Sequence, residues 1–169
     1  MIGLTARRAA LALAAVILGA AVAQGALSVK KTSLITIPAT FEVKASVEKV
    51  WKTAMSWEGF GALTGFKPTG PEKSFSKVGD SVAAQVWEDK GRLVVTELVP
   101  GKELRVAWEP ANASYLCAKR VVLSPAGSGT KVEYWDRYTD DQLNADETAK
   151  QVAADTEKAI AAFQRMAEK

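Results

Sequence analysis

The sequence predicts an α+β fold in which a curved antiparallel sheet wraps around one long C-terminal helix. Three observations carry this. A single alternating apolar segment comes early, a long run of strand-like segments separated by turn residues follows, and the stretch from Asp140 to Lys169 contains neither Gly nor Pro.

From Ser33 to Lys44, Ile35, Ile37, Ala39, Phe41 and Val43 share one phase, the mark of a half-buried strand, and Pro38 places it at an edge or a bulge. Ser46 can cap a short helix whose apolar stripe is Val47, Val50, Trp51, Ala54 and Met55. Trp57, Phe60, Leu63 and Phe66 then stand among Gly59, Gly61 and Gly65, as a second short helix or a lid. Turn chemistry follows at Gly79-Asp80, Asp89-Lys90-Gly91, Pro100-Gly101, Ala111-Asn112 and Pro125 to Gly129, which predicts an antiparallel meander. The last segment, capped at Asp140-Asp141, sets Val152, Ala159, Ile160, Phe163, Met166 and Ala167 on one helical face. At 1.5 Å per residue it is roughly 40 Å long, enough to lie along a whole sheet.

Folding each hairpin about its turn gives one consistent inner face. Leu98 opposes Leu104, Thr96 opposes Val106 and Val94 opposes Trp108; Val82, Ala84 and Val86 join from one side, and Leu116, Ala118, Arg120, Val122, Val132, Tyr134, Asp136 and Tyr138 from the other. The outer face collects Glu97, Glu103, Arg105, Glu109, Lys119, Lys131, Glu133 and Arg137, with Glu97 opposite Arg105.

The chain opens like an export signal: Arg7-Arg8, an apolar run from Ala9 to Ala20, then Ala21-Val22-Ala23 before Gln24. We expect residues 1–23 to be a signal peptide, 24–32 a flexible arm and 33–169 one domain, exported to the periplasm or secreted, with no stable transmembrane span after cleavage. The leader holds two of the 22 basic residues and none of the 19 acidic ones, so the mature charge is +1. Clustered Lys/Arg are missing, and nucleic acid is not an expected partner. One cysteine excludes an internal disulfide, and the complete absence of histidine removes Ser-His-Asp and Cys-His catalysis. No metal-ligand set or Gly-rich phosphate loop is present; no metal or cofactor is expected.

Two charges remain on the predicted inner face, Arg120 and Asp136, on neighbouring strands. Either would be costly in a dry interior if unpaired. They are a structural ion pair, or, with Tyr134 and Tyr138, the polar groups of an apolar pocket. Trp87 and Trp135 fall on the outer phase: either something covers that face, such as the arm, the lid or a partner, or the register differs there. Cys117 falls there too, beside Lys119 and Arg137, whose charges favour a thiolate, although nothing nearby would assist it as a nucleophile.

Several segments resemble the START-like superfamily, also called SRPBCC or polyketide cyclase/dehydrase-like: Ala45-Ser46-Val47-Glu48-Lys49-Val50-Trp51, Val78-Gly79-Asp80, Thr96-Glu97-Leu98-Val99-Pro100-Gly101-Lys102-Glu103-Leu104, Gly129-Thr130-Lys131-Val132-Glu133, and the terminal helix. The resemblance runs from Ile35 to about Lys169. It implies the helix-grip fold, with two short helices after the first strand and an apolar cavity between sheet and terminal helix, and a hydrophobic small-molecule ligand such as a lipid, quinone, sterol or polyketide-like compound. The superfamily has no universal catalytic residue, so no catalytic residue carries over. The ligand is expected to enter past Trp57, Phe60 and Leu63 and to lie against Trp108, Tyr134, Tyr138, Ile160 and Phe163, with Arg120 and Asp136 at its polar end. The alternatives are a cyclase or dehydratase using Asp136 and a tyrosine, and a protein-interaction module of the cell envelope, for which a protein partner is required.

Overall fold

The computed structural model describes residues 33–113, 115–140 and 145–169. The expected signal peptide, the arm and Asp141 of the expected helix cap lie outside the described residues. The elements are β1 (Ser33–Val43), α1 (Val47–Ala54), α2 (Trp57–Thr64), β2 (Lys67–Pro68), β3 (Ser81–Val86), β4 (Asp89–Val99), β5 (Glu103–Pro110), β6 (Cys117–Ala126), β7 (Gly129–Asp140) and α3 (Ala145–Glu168). The seven strands form one curled antiparallel sheet in the order β1-β7-β6-β5-β4-β3-β2.

Local chemistry explains the boundaries. Pro38 is tolerated because β1 is an edge strand, paired only to β7. The Ser46 hydroxyl accepts from the Lys49 amide at the start of α1, and the Ser56 hydroxyl accepts from the Gly59 amide at 2.9 Å at the start of α2. Gly65, at φ 75°, ends α2 in the left-handed conformation that favours glycine. The stretch expected as a second helix or lid is therefore a capped helix. The last helix begins later than expected: Asp140 still pairs with Ser33 at the end of β7.

Helix α3 packs on α2 and on β1. Phe163 is fully buried and meets Phe41 edge-on with ring centroids 6.4 Å apart. Its C-terminal turns are also tied by polar contacts: Gln164 Nε2 donates to the Glu42 carbonyl at 2.7 Å, and the Lys44 amide donates to Glu168 Oε1 at 2.9 Å. Among the described residues no helix is long and apolar enough to cross a membrane.

The register differs from the sequence expectation in four places. Leu98 opposes Leu104 and Glu97 opposes Arg105 as expected, but a bulge between Val95 and Glu97 then brings Val95 opposite Val106 and Leu93 opposite Trp108. Leu93 and Val95 are buried and Thr96 is exposed, the one-residue slip that a bulge imposes. The β3–β4 turn is Trp87-Glu88, so Asp89-Lys90-Gly91 is strand rather than turn. Gly91 serves close packing there: a Cβ would lie 2.2 Å from the Glu109 carbonyl oxygen and 2.8 Å from the Trp108 ring. In the third place Trp108 pairs with Cys117, which puts Cys117, Lys119, Val121 and Leu123 inside and turns Arg120 outward, reversing the expected face of β6. The next turn makes a second odd slip, and β7 keeps its expected face with Val132, Tyr134, Asp136 and Tyr138 buried.

Outside, Glu97, Arg105, Glu103 and Arg120 form a ladder across three strands, with Arg105 Nε 3.0 Å from Glu97 and Arg120 Nε 2.6 Å from Glu103. The Arg120 guanidinium beside it, assisted by Arg105, holds the Glu103 carboxyl below the usual carboxylate range, against the opposing effect of burial. A carboxyl depressed in the folded state contributes stability above its unfolded value, and that stability is lost as pH falls through the folded value.

Glu103→Gln should therefore lower the unfolding free energy at pH 7, with the difference from wild type shrinking as pH drops below about 4, read by urea titrations at several pH values. Phe163→Ala should cost about 3–5 kcal/mol with an unchanged urea m-value, because it empties a fully packed site.

Candidate ligand cavity

A cavity of about 1340 Å³ lies between the inner face of the sheet, α2 and α3. It exceeds the roughly 300–1,000 Å³ common for small-molecule sites. Six of the seven α3 residues that line it lie between Thr148 and Ala159, with the small or short side chains Val152, Thr156 and Ala159 among them, whereas Phe163 is fully buried further along the helix. Trp57 and Ala62 of α2, Phe66 and Pro68 after it, Val86 and Trp87 at the β3–β4 turn, and Tyr115 before β6 complete much of the wall.

The floor is polar. Lys119 and Asp136 are direct cross-strand neighbours, each 3% exposed, and the ammonium donates to Asp136 Oδ2. Cys117 Sγ lies 3.6 Å from Asp136 Oδ1. Lys119 Nζ also sits 5.0 Å from the centroid of the Phe66 ring, which packs at 4.7 Å on Trp108. Trp108 Nε1 donates to the Tyr115 hydroxyl at 2.9 Å, and that hydroxyl donates to Asp89 Oδ2 at 3.2 Å. Burial raises the Tyr115 and Tyr134 hydroxyls, with Asp89 adding to the first and Asp136 to the second. Burial also pushes the Cys117 thiol up to about 12; the attraction of Lys119 is offset by the negative charge of Asp136. The cation-assisted thiolate expected from an outward Cys117 is thus replaced by a protonated, buried thiol. Trp57 carries a buried indole N–H that has no acceptor among the described residues.

Of the residues expected at the site, Trp57, Asp136 and Tyr138 line the cavity. Trp108 stands behind it, supporting Phe66 and Tyr115. Phe60, Leu63, Tyr134 and Phe163 are buried in the core, and Ile160 packs partly buried against it. Arg120 lies on the opposite face of the sheet with Glu103, and the partner of Asp136 is Lys119. The expected reading missed Lys119, Cys117, Tyr115, Phe66 and the α3 residues. One signal was present in β6: Cys117, Lys119, Val121 and Leu123 make a more apolar phase than Ala118, Arg120, Val122 and Ser124. Trp135 is half-buried on the outer face under the Arg137 guanidinium at 4.7 Å, whereas Trp87 borders the cavity, so the two tryptophans do not form one outer patch.

Solved structures share this arrangement. Protein CV1439 from Chromobacterium violaceum superposes with a TM-score of 0.61 at 14% identity, over 79% of this chain and 97% of that one. The chain has a helix-grip fold. Ara h 8.0201 matches with a TM-score of 0.59 at 11% identity, over 80% of this chain and 98% of its own. DynU16, a protein from the dynemicin biosynthetic locus, matches with a TM-score of 0.57 at 17% identity, over 77% of this chain and 46% of its own. At such identities the likeness is one of fold. No family model matches the sequence, and no curated protein does. The helix grip here is firm at the C-terminal end of α3, and the cavity lies mainly under residues 148–159 of the helix.

Burial keeps the Cys117 thiol far above the ordinary thiol range, so it is protonated at pH 8. Iodoacetamide at pH 8 should therefore leave the native protein unlabelled for hours and modify it completely in denaturant, read by intact mass.

Proposed function

We propose that the protein is an exported binder of a hydrophobic small molecule, held in the cavity between sheet and α3 with an uncharged polar end, a hydroxyl or carbonyl, on its floor. The observation that carries this reading is the closed charge balance of that floor. Lys119 and Asp136 neutralise each other, and the neighbouring Cys117 and Tyr134 hold their protons. A carboxylate arriving there would compete with Asp136 for one ammonium in a poorly solvated site, whereas a hydroxyl or carbonyl can bond to the pair without breaking it. Arg120, expected at the polar end of the ligand, is on the other side of the sheet.

Native mass spectrometry of the protein purified from its own cell envelope or culture medium should show a stoichiometric apolar adduct. Dodecanol should bind at least about tenfold more tightly than dodecanoate by calorimetry at pH 8. Asp136→Asn should narrow or reverse that preference. Because it leaves Lys119 buried without its partner, the double variant Lys119→Met/Asp136→Leu is the control: it keeps an apolar, neutral floor and should lose discrimination among polar ends while still binding hydrocarbon chains. Equal affinity for alcohol and acid in the wild type would sink the neutral-end reading, and no binding of either would sink the cavity as a ligand site.

A second reading, a cyclase or dehydratase in which Asp136 and Tyr138 exchange protons with the bound molecule, is favoured by the placement of both side chains on the cavity wall. DynU16 comes from a biosynthetic locus, which supports asking for turnover. Conversion of an extracted ligand by the wild type, abolished in Asp136→Asn, would distinguish it from binding alone.

A further inference from the structure

The floor of the cavity carries a lysine where a purely structural ion pair favours arginine. A guanidinium can hold a buried carboxylate through two parallel hydrogen bonds and keeps its protons, whereas an ammonium can give one up and become a nucleophile. Lys119 lines the cavity beside Asp136. Lys67, Lys73 and Lys158 also border the cavity, but all three are exposed, whereas the Lys119 side chain is only 4% exposed.

The surroundings of Lys119 are those that amine chemistry needs. Its ammonium donates to Asp136 Oδ2, so a proton acceptor is already in place. The Cys117 thiol donates to the other oxygen, Oδ1, at 3.6 Å, which orients the carboxylate and leaves Oδ2 to the lysine. The Phe66 ring, 5.0 Å from Nζ, presents its negative face to whatever cation stands there. Water, which hydrolyses imines on exposed lysines, is scarce at a site this buried.

We propose that Lys119 captures an apolar aldehyde or ketone covalently, as a protonated Schiff base that Asp136 serves as proton shuttle and counter-ion. Asp136 Oδ2 takes one proton from the ammonium, and the freed nitrogen lone pair attacks the carbonyl carbon. The C–N bond forms, the carbonyl π pair moves to oxygen, and a proton passes from nitrogen to that oxygen to give a neutral carbinolamine. The protonated Asp136 then returns its proton to the hydroxyl, the C–O bond breaks with loss of water, and the nitrogen lone pair closes the C=N bond. One positive charge is present before and after, so the pairing with Asp136 and the contact with Phe66 both survive the reaction. The inference rests on the cavity taking up an apolar ligand with a neutral polar end, and it names a carbonyl compound as the class that is held longest.

Dodecanal in the presence of sodium cyanoborohydride, which reduces the iminium to a stable amine, is the probe, and intact mass with peptide mapping is the readout. The wild type should gain one dodecyl group on Lys119 at least about tenfold faster than on any exposed lysine, because the aldehyde is held beside it. Asp136→Asn should slow that labelling on the order of a hundredfold, the usual effect of losing a positioned proton acceptor. Lys119→Arg keeps a cation opposite Asp136 and should leave position 119 unlabelled. The variant Lys119→Met/Asp136→Leu, with its neutral floor, should still bind dodecanol and also leave position 119 unlabelled; circular dichroism checks that each variant is folded. Wild type that binds dodecanol but labels Lys119 no faster than exposed lysines, or Asp136→Asn that labels at the wild-type rate, overturns the capture and leaves the non-covalent reading standing. Wild type that binds neither dodecanol nor dodecanal overturns both.

Discussion

Two opposite charges organise the inner face of the sheet. Lys119 and Asp136 are buried where a lone ion costs several kcal/mol, and only direct opposition on β6 and β7 lets each offset the other. That requirement penalises any slip between the two strands, because a shift of one residue would carry every side chain of the strand to the wrong face. The pair also governs its neighbours. Asp136 cancels the pull of Lys119 on the Cys117 proton and helps to keep Tyr134 protonated, so the thiol and the phenol of this cluster are chemically quiet.

The pair is held in turn by aromatic packing that begins at a glycine. Without a Cβ at Gly91, the Trp108 ring lies close against β4; Phe66 packs on Trp108, and Lys119 lies over Phe66. The contribution of the outer charge ladder is smaller, since partly exposed ion pairs are worth about 0–1 kcal/mol each. Polar geometry selects the register of the sheet, and apolar burial supplies most of its stability.

The architecture was legible because it depends on patterns that repeat. The alternation of β1, the cap at Ser46, and the helical stripe ending in Phe163 and Ala167 all recur where they were read. The site was less legible because it depends on parity. The bulge beside Thr96 has no residue signature, the β3–β4 turn uses a tryptophan where turn chemistry pointed to Asp89-Lys90-Gly91, and the connection from β5 to β6 holds an odd residue, with Ala113 at a positive φ. Two one-residue slips in succession cancel for β7 and not for β6. Asp136 was therefore placed correctly, while its partner was taken to be Arg120, one position away from Lys119. A single parity error moved the predicted positive charge from one side of the sheet to the other.

The same sequence feature that opens the cavity also decides where the fold is weak. Along α3, the C-terminal turns carry Phe163, Ala167 and polar ties to the chain around β1, while the N-terminal turns present short side chains over empty space. Local stability follows buried contact, so the helix is best held where it closes the core and least held where it roofs the cavity. A ligand filling that space would supply the missing contacts and stabilise the roof by mass action. Filling the roof with larger side chains would stabilise the free protein and remove the cavity together, because the same volume serves both ends. Thr156 shows the compromise: its hydroxyl is bonded back to the Val152 carbonyl at 2.8 Å, which lets a small polar residue face the interior without leaving a polar group unsatisfied.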